Sequence, residues 1–215
     1  PEYRLPKKVL DWEIDGILNL GIEYYINVRL RRDFEFGSLI AAGFDSIFFS
    51  IGAWKDYRLK IPGEDLTGCY TGIDFLARVG NNEPLSIGRR VAVIGGGNTA
   101  IDCVRTLVRK GCEKVYLVYR RTRAEMPANE VEIVAAEHEG IEFIFLASPN
   151  QVKGDEEDRV TGLEYLKMEL GEPDASGRRR PVPVEGSETV LDVDMIITAI
   201  GQSPSAEFRG KGDRT

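Results

Sequence analysis

The sequence predicts an α/β fold in which a parallel sheet is joined to an antiparallel meander. Three observations predict it. Apolar segments of strand length alternate with apolar segments at helical spacing along the whole chain. Residues 91–146 run strand, helix, strand, helix, strand, the βαβαβ order of a parallel sheet. Beyond Pro149 the pattern loosens into alternation broken by glycine and proline, as antiparallel hairpins require.

Taken in order, Pro6 to Leu20 carries Leu10, Ile14, Ile17 and Leu18 at helical spacing, with Pro6 suited to a first turn and Gly21 to the position past the end. Ile22 to Val28 reads as a strand and Phe36 to Ala42 as a short helix closed by Gly43. Ile47 to Ile51 reads as a strand buried on both faces. From Asp56 to Arg90, Ile61-Pro62-Gly63-Glu64-Asp65, Gly68, Gly72, Gly80-Asn81-Asn82 and Pro84 crowd around one helical stretch, Ile73 to Arg78, so a domain crossing is predicted there. Val91-Ala92-Val93-Ile94 is a buried strand. The helix after it puts Ile101, Val104, Leu107 and Val108 on one face, gathers Arg105, Arg109 and Lys110 near its C-terminus, and stops at Gly111. Val115 to Tyr119, Ala128 to Glu139 and Ile141 to Leu146 complete the strand, helix, strand series. Val160 to Leu170 then alternates, Arg178-Arg179-Arg180 reads as a solvated hairpin loop, and Thr189 to Asp194 leads into Met195 to Ile200 within the antiparallel part. The tail after Pro204 is polar and expected to be loose.

Composition narrows the chemistry. The 215 residues suit one large domain or two small ones, and 42% hydrophobic content suits a packed core. A net charge of −7 argues against a broad nucleic-acid surface, and no apolar run approaches the roughly 20 residues of a membrane span. Cys69, Cys103 and Cys112 fit neither a CxxC pair nor a zinc site and are expected to be small buried thiols in a reduced, cytoplasmic setting. The single histidine, His138, continues the spacing of Val131, Val134 and Ala135 and is expected to be structural and partly buried. Any chemistry must therefore come mostly from a bound cofactor.

Gly95-Gly96-Gly97-Asn98-Thr99-Ala100 fits G-x-G-x-x-A directly after a strand and at the start of a helix, the context of a Rossmann-like dinucleotide fingerprint. Gly95 permits the tight turn, Gly97 lets the backbone approach a pyrophosphate, and Ala100 lets helix and strand pack closely. The end of the second strand distinguishes the nucleotides. A carboxylate there would hold ribose hydroxyls, whereas Tyr119 is followed by Arg120, Arg121, Thr122 and Arg123, and guanidinium groups pair with a 2′-phosphate. At roughly 1.5–3 kcal/mol per charge-assisted bond, two such bonds favour NADPH over NADH by about a hundredfold or more. Asp102, one turn beyond Asn98, either points toward the nicotinamide end or simply complements the helix N-terminus. Tyr3-Arg4-Leu5-Pro6-Lys7 has the letters of a Y-x-x-x-K pair, but Pro6 breaks the helix that pair needs.

Val91 to Pro127, reading VAVIGGGNTAIDCVRTLVRKGCEKVYLVYRRTRAEMP, resembles the NADPH-binding region of the glutamate synthase small (β) subunit family. The resemblance extends to PEYRLPK at Pro1, SIGAWK at Ser50, IPGED at Ile61, GEPDASGRRRPVPVEGSE at Gly171 and AIGQ at Ala199. It implies a two-dinucleotide-binding flavoprotein in which NADPH passes hydride to FAD, and electrons leave through iron–sulfur clusters toward glutamate formation from glutamine and 2-oxoglutarate. Carried over, Gly95, Gly96, Gly97, Asn98, Thr99 and Ala100 would hold the pyrophosphate, and Arg120, Arg121 and Arg123 the 2′-phosphate. Asp102 matches an acidic position near the nicotinamide in related thioredoxin reductases. Ala199-Ile200-Gly201 would be the turn leaving the NADPH domain, and Ser50-Ile51-Gly52-Ala53 the crossing into it. The domains implied are 1–85 as part of an FAD domain with its crossover, 86–201 as the NADPH domain, and 202–215 as a return or disordered tail.

The flavin fingerprints and cysteine clusters of that family do not occur in these residues, so the chain is expected to be a fragment that binds NADPH with an incomplete FAD site and with the iron–sulfur clusters elsewhere. The expected partner is the glutamate synthase large subunit or another electron acceptor, with homo-oligomerisation left open. Alternatives keep the flavoprotein half in an NADPH:ferredoxin, sulfide or dihydropyrimidine dehydrogenase, or make the chain a non-catalytic nucleotide-binding module. A methyltransferase is the weakest, because it too prefers an acidic residue where Arg120 stands.

Overall fold

The computed structural model describes residues 1–173, 175 and 177–204, so the tail expected to be loose lies outside the described residues from 205 onward. The chain divides into two compact units, one of Pro1–Lys55 with the segment from Ser203, the other Asp56–Gln202. Among the described residues no helix is long and apolar enough to cross a membrane.

The first unit contains α1 (Lys7–Leu18) and α2 (Phe36–Ala41), with Pro6 at the N-cap of α1 and Gly21 in the left-handed region beyond its end. The strands expected at Ile22–Val28 and Ile47–Ile51 are absent. A strand is held by its neighbour's ladder of hydrogen bonds, and between Pro1 and Phe49 the described residues supply only the isolated bridge between Leu30 and Phe34. None of the first 55 residues is buried, and Phe48, expected in a doubly covered strand, is 91% exposed. Phe36 and Phe49 nonetheless meet edge to face at 5.0 Å.

At the crossings between units lie the two-residue strands β1 (Lys55–Asp56) and β11 (Gln202–Ser203). Within Asp56–Gln202 the order is β2 (Cys69–Thr71), α3 (Gly72–Gly80), β3 (Arg90–Ile94), α4 (Asn98–Arg109), β4 (Lys114–Tyr119), α5 (Glu130–His138), β5 (Glu142–Phe145), β6 (Ala147–Gly154), β7 (Val160–Pro173), β8 (Arg179–Pro183), β9 (Thr189–Asp192) and β10 (Met195–Thr198). A parallel sheet runs β2-β10-β3-β4-β5. A second, antiparallel sheet pairs β7 with β6, β8 and β9.

Three differences from the sequence expectations matter. The compact unit begins at Asp56, so β2 and α3 belong with the residues assigned to 86–201 and the boundary expected at 85/86 falls within this unit. Only three residues long and flanked by glycines, β2 offers no periodicity to read. Met195–Thr198 does not continue the antiparallel part. It returns to the parallel sheet between β2 and β3, where all four of its residues are buried, as a central parallel strand requires. Finally, Arg179-Arg180 is not loop but the start of β8, and β6 is a strand the sequence did not signal, set off from β5 by Leu146 at φ 52°.

The register explains the layering. Tyr70, Ile197, Val93, Leu117 and Phe143 stand side by side across the five strands and face α3, α4 and α5, packing with Ile101, Leu107 and Ile133. One residue earlier, Cys69, Ile196, Ala92 and Tyr116 face the opposite way and pack on Val152, Val160, Leu163 and Val193 of the antiparallel side. The unit thus has three layers, helices on the parallel sheet and the parallel sheet on the antiparallel one. Its two apolar faces make both of its cores.

The arginines of α4 complement the helix C-terminus less than they bind the next helix. Arg105 pairs with Glu132 and with Glu139 at 2.8 Å, and Arg109 reaches Glu139 at 2.8 Å. Arg109, with Arg105, holds the Glu139 carboxyl down to about 2. His138, expected to be partly buried, is exposed at the end of α5. Because the folded pKa of Glu139 lies below its unfolded value of 4.5, its contribution is fully present above that value and is lost as pH falls toward about 2. The Glu139→Gln variant is expected to unfold roughly 2–4 °C lower at neutral pH and to have a flatter melting temperature between about pH 5 and 2, measured by circular dichroism.

Candidate functional site

A cavity of about 620 Å³ opens where β3, β4 and β10 end. In open α/β sheets the carboxyl ends of adjacent strands whose connections diverge form such a crevice, and β3 is followed by β4 on one side and flanked by the late strand β10 on the other. Most of the lining comes from the segment Tyr57, Leu59 and Ile61; Ile94 and the glycine turn Gly95, Gly96 and Gly97 with Thr99; the end of β4 from Val118 to Arg121; Ala147, Ser148 and Pro149 of β6; and the run Ala199 to Gln202, with Pro127 and Arg178 added from elsewhere.

Each glycine of the turn has a separate task. Gly95 sits at φ 146° and donates its N–H to the Val118 carbonyl at 3.0 Å. A Cβ there would lie 2.2 Å from the Ala199 carbonyl oxygen, so the turn can pass under the end of β10 only with glycine. At Gly96 a Cβ would stand 2.5 Å from the Tyr119 ring. That ring is fixed by its hydroxyl, which donates to the Glu125 carbonyl at 2.8 Å. Gly97 caps α4 and differs from both, since the nearest atom to a Cβ would be Pro127 Cγ at 4.0 Å. Gly97 itself is part of the cavity lining.

Neighbouring groups hold the turn. Ala128 N–H donates to the Gly96 carbonyl at 3.2 Å, and Asn129 N–H donates to Asn98 Oδ1 at 3.0 Å. The Asn98 side chain is therefore engaged in joining the starts of α4 and α5. Gln202 Nε2 donates to Thr99 Oγ1 at 3.2 Å. Ala100 is fully buried under the turn, close to Gly95.

The arginines expected at the end of β4 separate. Arg120 is exposed on the cavity wall. Arg121 lines the cavity too but is 4% exposed, and its Nε donates to the Arg179 carbonyl at 2.7 Å. Arg123 is not brought to the cavity: Glu137 and Glu130 on α5 pair with it at 3.0 and 2.7 Å, and these carboxylates raise its pKa further. Asp102 is half-buried on α4 outside the lining, and Ala199, Ile200 and Gly201 lie on it.

Sequence reasoning missed Tyr57, Gln202, Pro127, Ser148 and Arg178 on the cavity wall. Pro127 and Gln202 stood within segments that carried the resemblance without a role of their own, and the run of three arginines that includes Arg178 is equally compatible with a solvated loop. The completed lining contains Arg120, Arg121 and Arg178 and no Asp, Glu or Lys. In a chain of net charge −7 this is a concentrated positive wall.

The three cysteines are poorly placed to act as thiolates. Cys103 is fully buried, and burial pushes its thiol well up; Cys69 and Cys112 are half-buried rather than buried and are raised to about 11, again chiefly by burial. Among the described residues no group of His, Cys, Asp and Glu could hold a metal ion.

Comparison with known proteins agrees with this architecture. The chain is 44% identical over 97% of its length to the NADPH-Fe(3+) oxidoreductase subunit beta of Geobacter sulfurreducens, and spans 31% of that protein. It is 37% identical over 95% of its length to the glutamate synthase [NADPH] small chain of Halomonas elongata, and spans 45% of it. Thus the chain spans less than half the length of either curated relative. Among solved structures, FprA, an oxidoreductase of Mycobacterium tuberculosis, superposes with a TM-score of 0.71 at 21% identity, over 93% of this chain and 59% of that one, which shows a shared fold. Residues 18–214 match the pyridine nucleotide-disulphide oxidoreductase family, and with most of its length in that match the chain belongs to that family.

Proposed function

We propose that the cavity at the ends of β3, β4 and β10 binds NADPH and presents it to a flavin, as the electron-input part of a glutamate synthase small-chain-like oxidoreductase. The observation that carries this reading is a glycine turn open at Gly97 beside a wall of arginines without a carboxylate. The open face of Gly97 leaves room for a diphosphate, and the start of α4 offers its backbone N–H groups and partial positive charge to it. Arg120 and Arg121 answer the 2′-phosphate of the adenosine ribose, which a carboxylate at the same place would repel. When bound, the nicotinamide supplies the hydride.

The chain's own residues position rather than react. Gly95 and Gly96 let the turn lie close to β10 and Tyr119, Asn98 and Ala128 fix it against the start of α5, and Gln202 fixes Thr99. Outside the lining, Arg123 ties the segment after β4 to α5, and Asp102 stands on α4. Residues 1–55 would belong to an FAD domain whose remainder lies in the rest of such a protein, as would the iron–sulfur clusters and the partner subunit. NADPH appears in the names of both relatives described above, whereas the acceptor differs between them. The higher identity to the iron-reducing relative favours a second reading in which electrons go to an acceptor other than glutamate synthesis.

Titration of the chain with NADPH and NADH, followed by nucleotide fluorescence, is expected to give a preference for NADPH of about a hundredfold. Arg120→Ala should weaken NADPH roughly tenfold and leave NADH unchanged. Equal affinity of the parent for both nucleotides would overturn the assignment. Gly97→Ala supplies a separate check. Its Cβ meets no protein atom closer than 4.0 Å, so the variant should melt at the parental temperature yet lose both nucleotides; parental binding would show that the turn is not the diphosphate site.

A further inference from the structure

Resting on the NADPH reading above, we infer that Arg178, from the antiparallel sheet, is a specificity-determining residue for the 2′-phosphate, and that Arg121 is the positioning residue that brings it there. The two belong to different layers of the fold. Arg121 lies two residues past the end of β4 in the parallel sheet, while Arg178 immediately precedes β8 in the 4-stranded antiparallel sheet. Both nevertheless line the same cavity with Arg120.

The connection between them is made by Arg179. Its carbonyl accepts the Arg121 Nε–H at 2.7 Å, and its own guanidinium turns the other way, donating to the carbonyls of Gly171 at 3.2 Å and Leu170 at 2.5 Å on β7. Arg179 is thus tied on one side to the end of β4 and on the other to its partner strand, at the point where the β7–β8 register shifts between Leu170 and Pro173. Arg178 lies one residue before this doubly tied position and lines the cavity, so whatever holds Arg179 in place holds Arg178 at the wall. The Arg121 carbonyl also accepts the Leu146 N–H at 3.0 Å, so the latch is itself anchored, and Arg121 is buried as a latch should be.

The chemistry follows from the lining. Arg120, Arg121 and Arg178 line the cavity and no carboxylate does, and a dianionic phosphate monoester accepts charge-assisted hydrogen bonds from guanidinium groups such as those of Arg120 and Arg178. A diphosphate at the glycine turn is common to NADPH and NADH, so a contact made by Arg178 with the 2′-phosphate alters the discrimination between them. A contact that only stabilised the fold would alter both affinities together.

The test measures dissociation constants of the whole chain for NADPH, NADH, adenosine 2′,5′-bisphosphate and 5′-AMP. Arg178→Met is expected to weaken NADPH and the bisphosphate about tenfold while leaving NADH and 5′-AMP within twofold; its exposed side chain makes it a variant that folds. Arg121→Lys, which keeps the charge but loses the Nε–H bond to Arg179, should cost part of the same discrimination. Adding Arg178→Met to it should then cost less than in the parent, the coupling a double-mutant cycle detects. If Arg178→Met leaves the NADPH/NADH ratio at its parental value while Arg120→Ala lowers it, the inference falls and the NADPH reading stands. If the parent does not prefer NADPH, both fall. Independent, additive losses from Arg121→Lys and Arg178→Met would remove the positioning role.

Discussion

Everything about the cavity depends on how closely the chain can pass at Gly95. There the Gly95 N–H reaches the Val118 carbonyl at 3.0 Å, while the Ala199 N–H reaches the Ile94 carbonyl at 2.8 Å. Three strand ends are brought together by two hydrogen bonds around a residue without a side chain. The strand order that produces this meeting places the last strand of the unit, β10, between the first, β2, and the third element of the sheet, β3. Had β10 joined the antiparallel sheet, Ala199 to Gln202 would lie elsewhere and the glycine turn would face solvent.

Legibility in the sequence followed the range of the interactions involved. The β3–turn–α4–β4 unit could be read because strand period, glycine spacing and helix pattern are all local and agree with one another. The place of β10 was not legible, because Met195 to Ile200 is apolar in any sheet and only its pairing with both β2 and β3 decides its direction. Phe48 and its neighbours failed in the opposite sense, having a strand's pattern but forming no strand among the described residues. At the site, Arg120 and Arg121 were legible from their position after a strand. The diversion of Arg123 was hidden because Glu130 and Glu137, two helical turns apart on α5, come near it only once that helix is folded.

Electrostatics give the two ends of the helix layer different characters. Toward the strand N-termini, ion pairs such as Arg89 with Glu113 and Lys114 with Glu142 are exposed and screened, and contribute little individually. Between α4 and α5, the Arg105 side chain is 12% exposed and shared by two carboxylates, so its removal would leave charges in a half-buried seam. At the cavity the balance reverses and cations stand without carboxylates in the lining. The arginines that hold the helices together meet carboxylates on the neighbouring helix, whereas the cavity lining itself includes arginines and no acidic residue.

The hydrogen bond from Tyr57 N–H to the Gly201 carbonyl, 3.0 Å, joins the two ends of the unit Asp56–Gln202. A folded insert whose ends meet needs only a short gap in whatever chain carries it, and the entropy of closing that gap is small. The same two segments line the cavity, at Tyr57 and at Gly201. In modular terms, the insert carries its own stem, and a molecule filling the cavity would grip that stem from inside. Accommodation in a host and occupation by a ligand thereby draw on the same few residues.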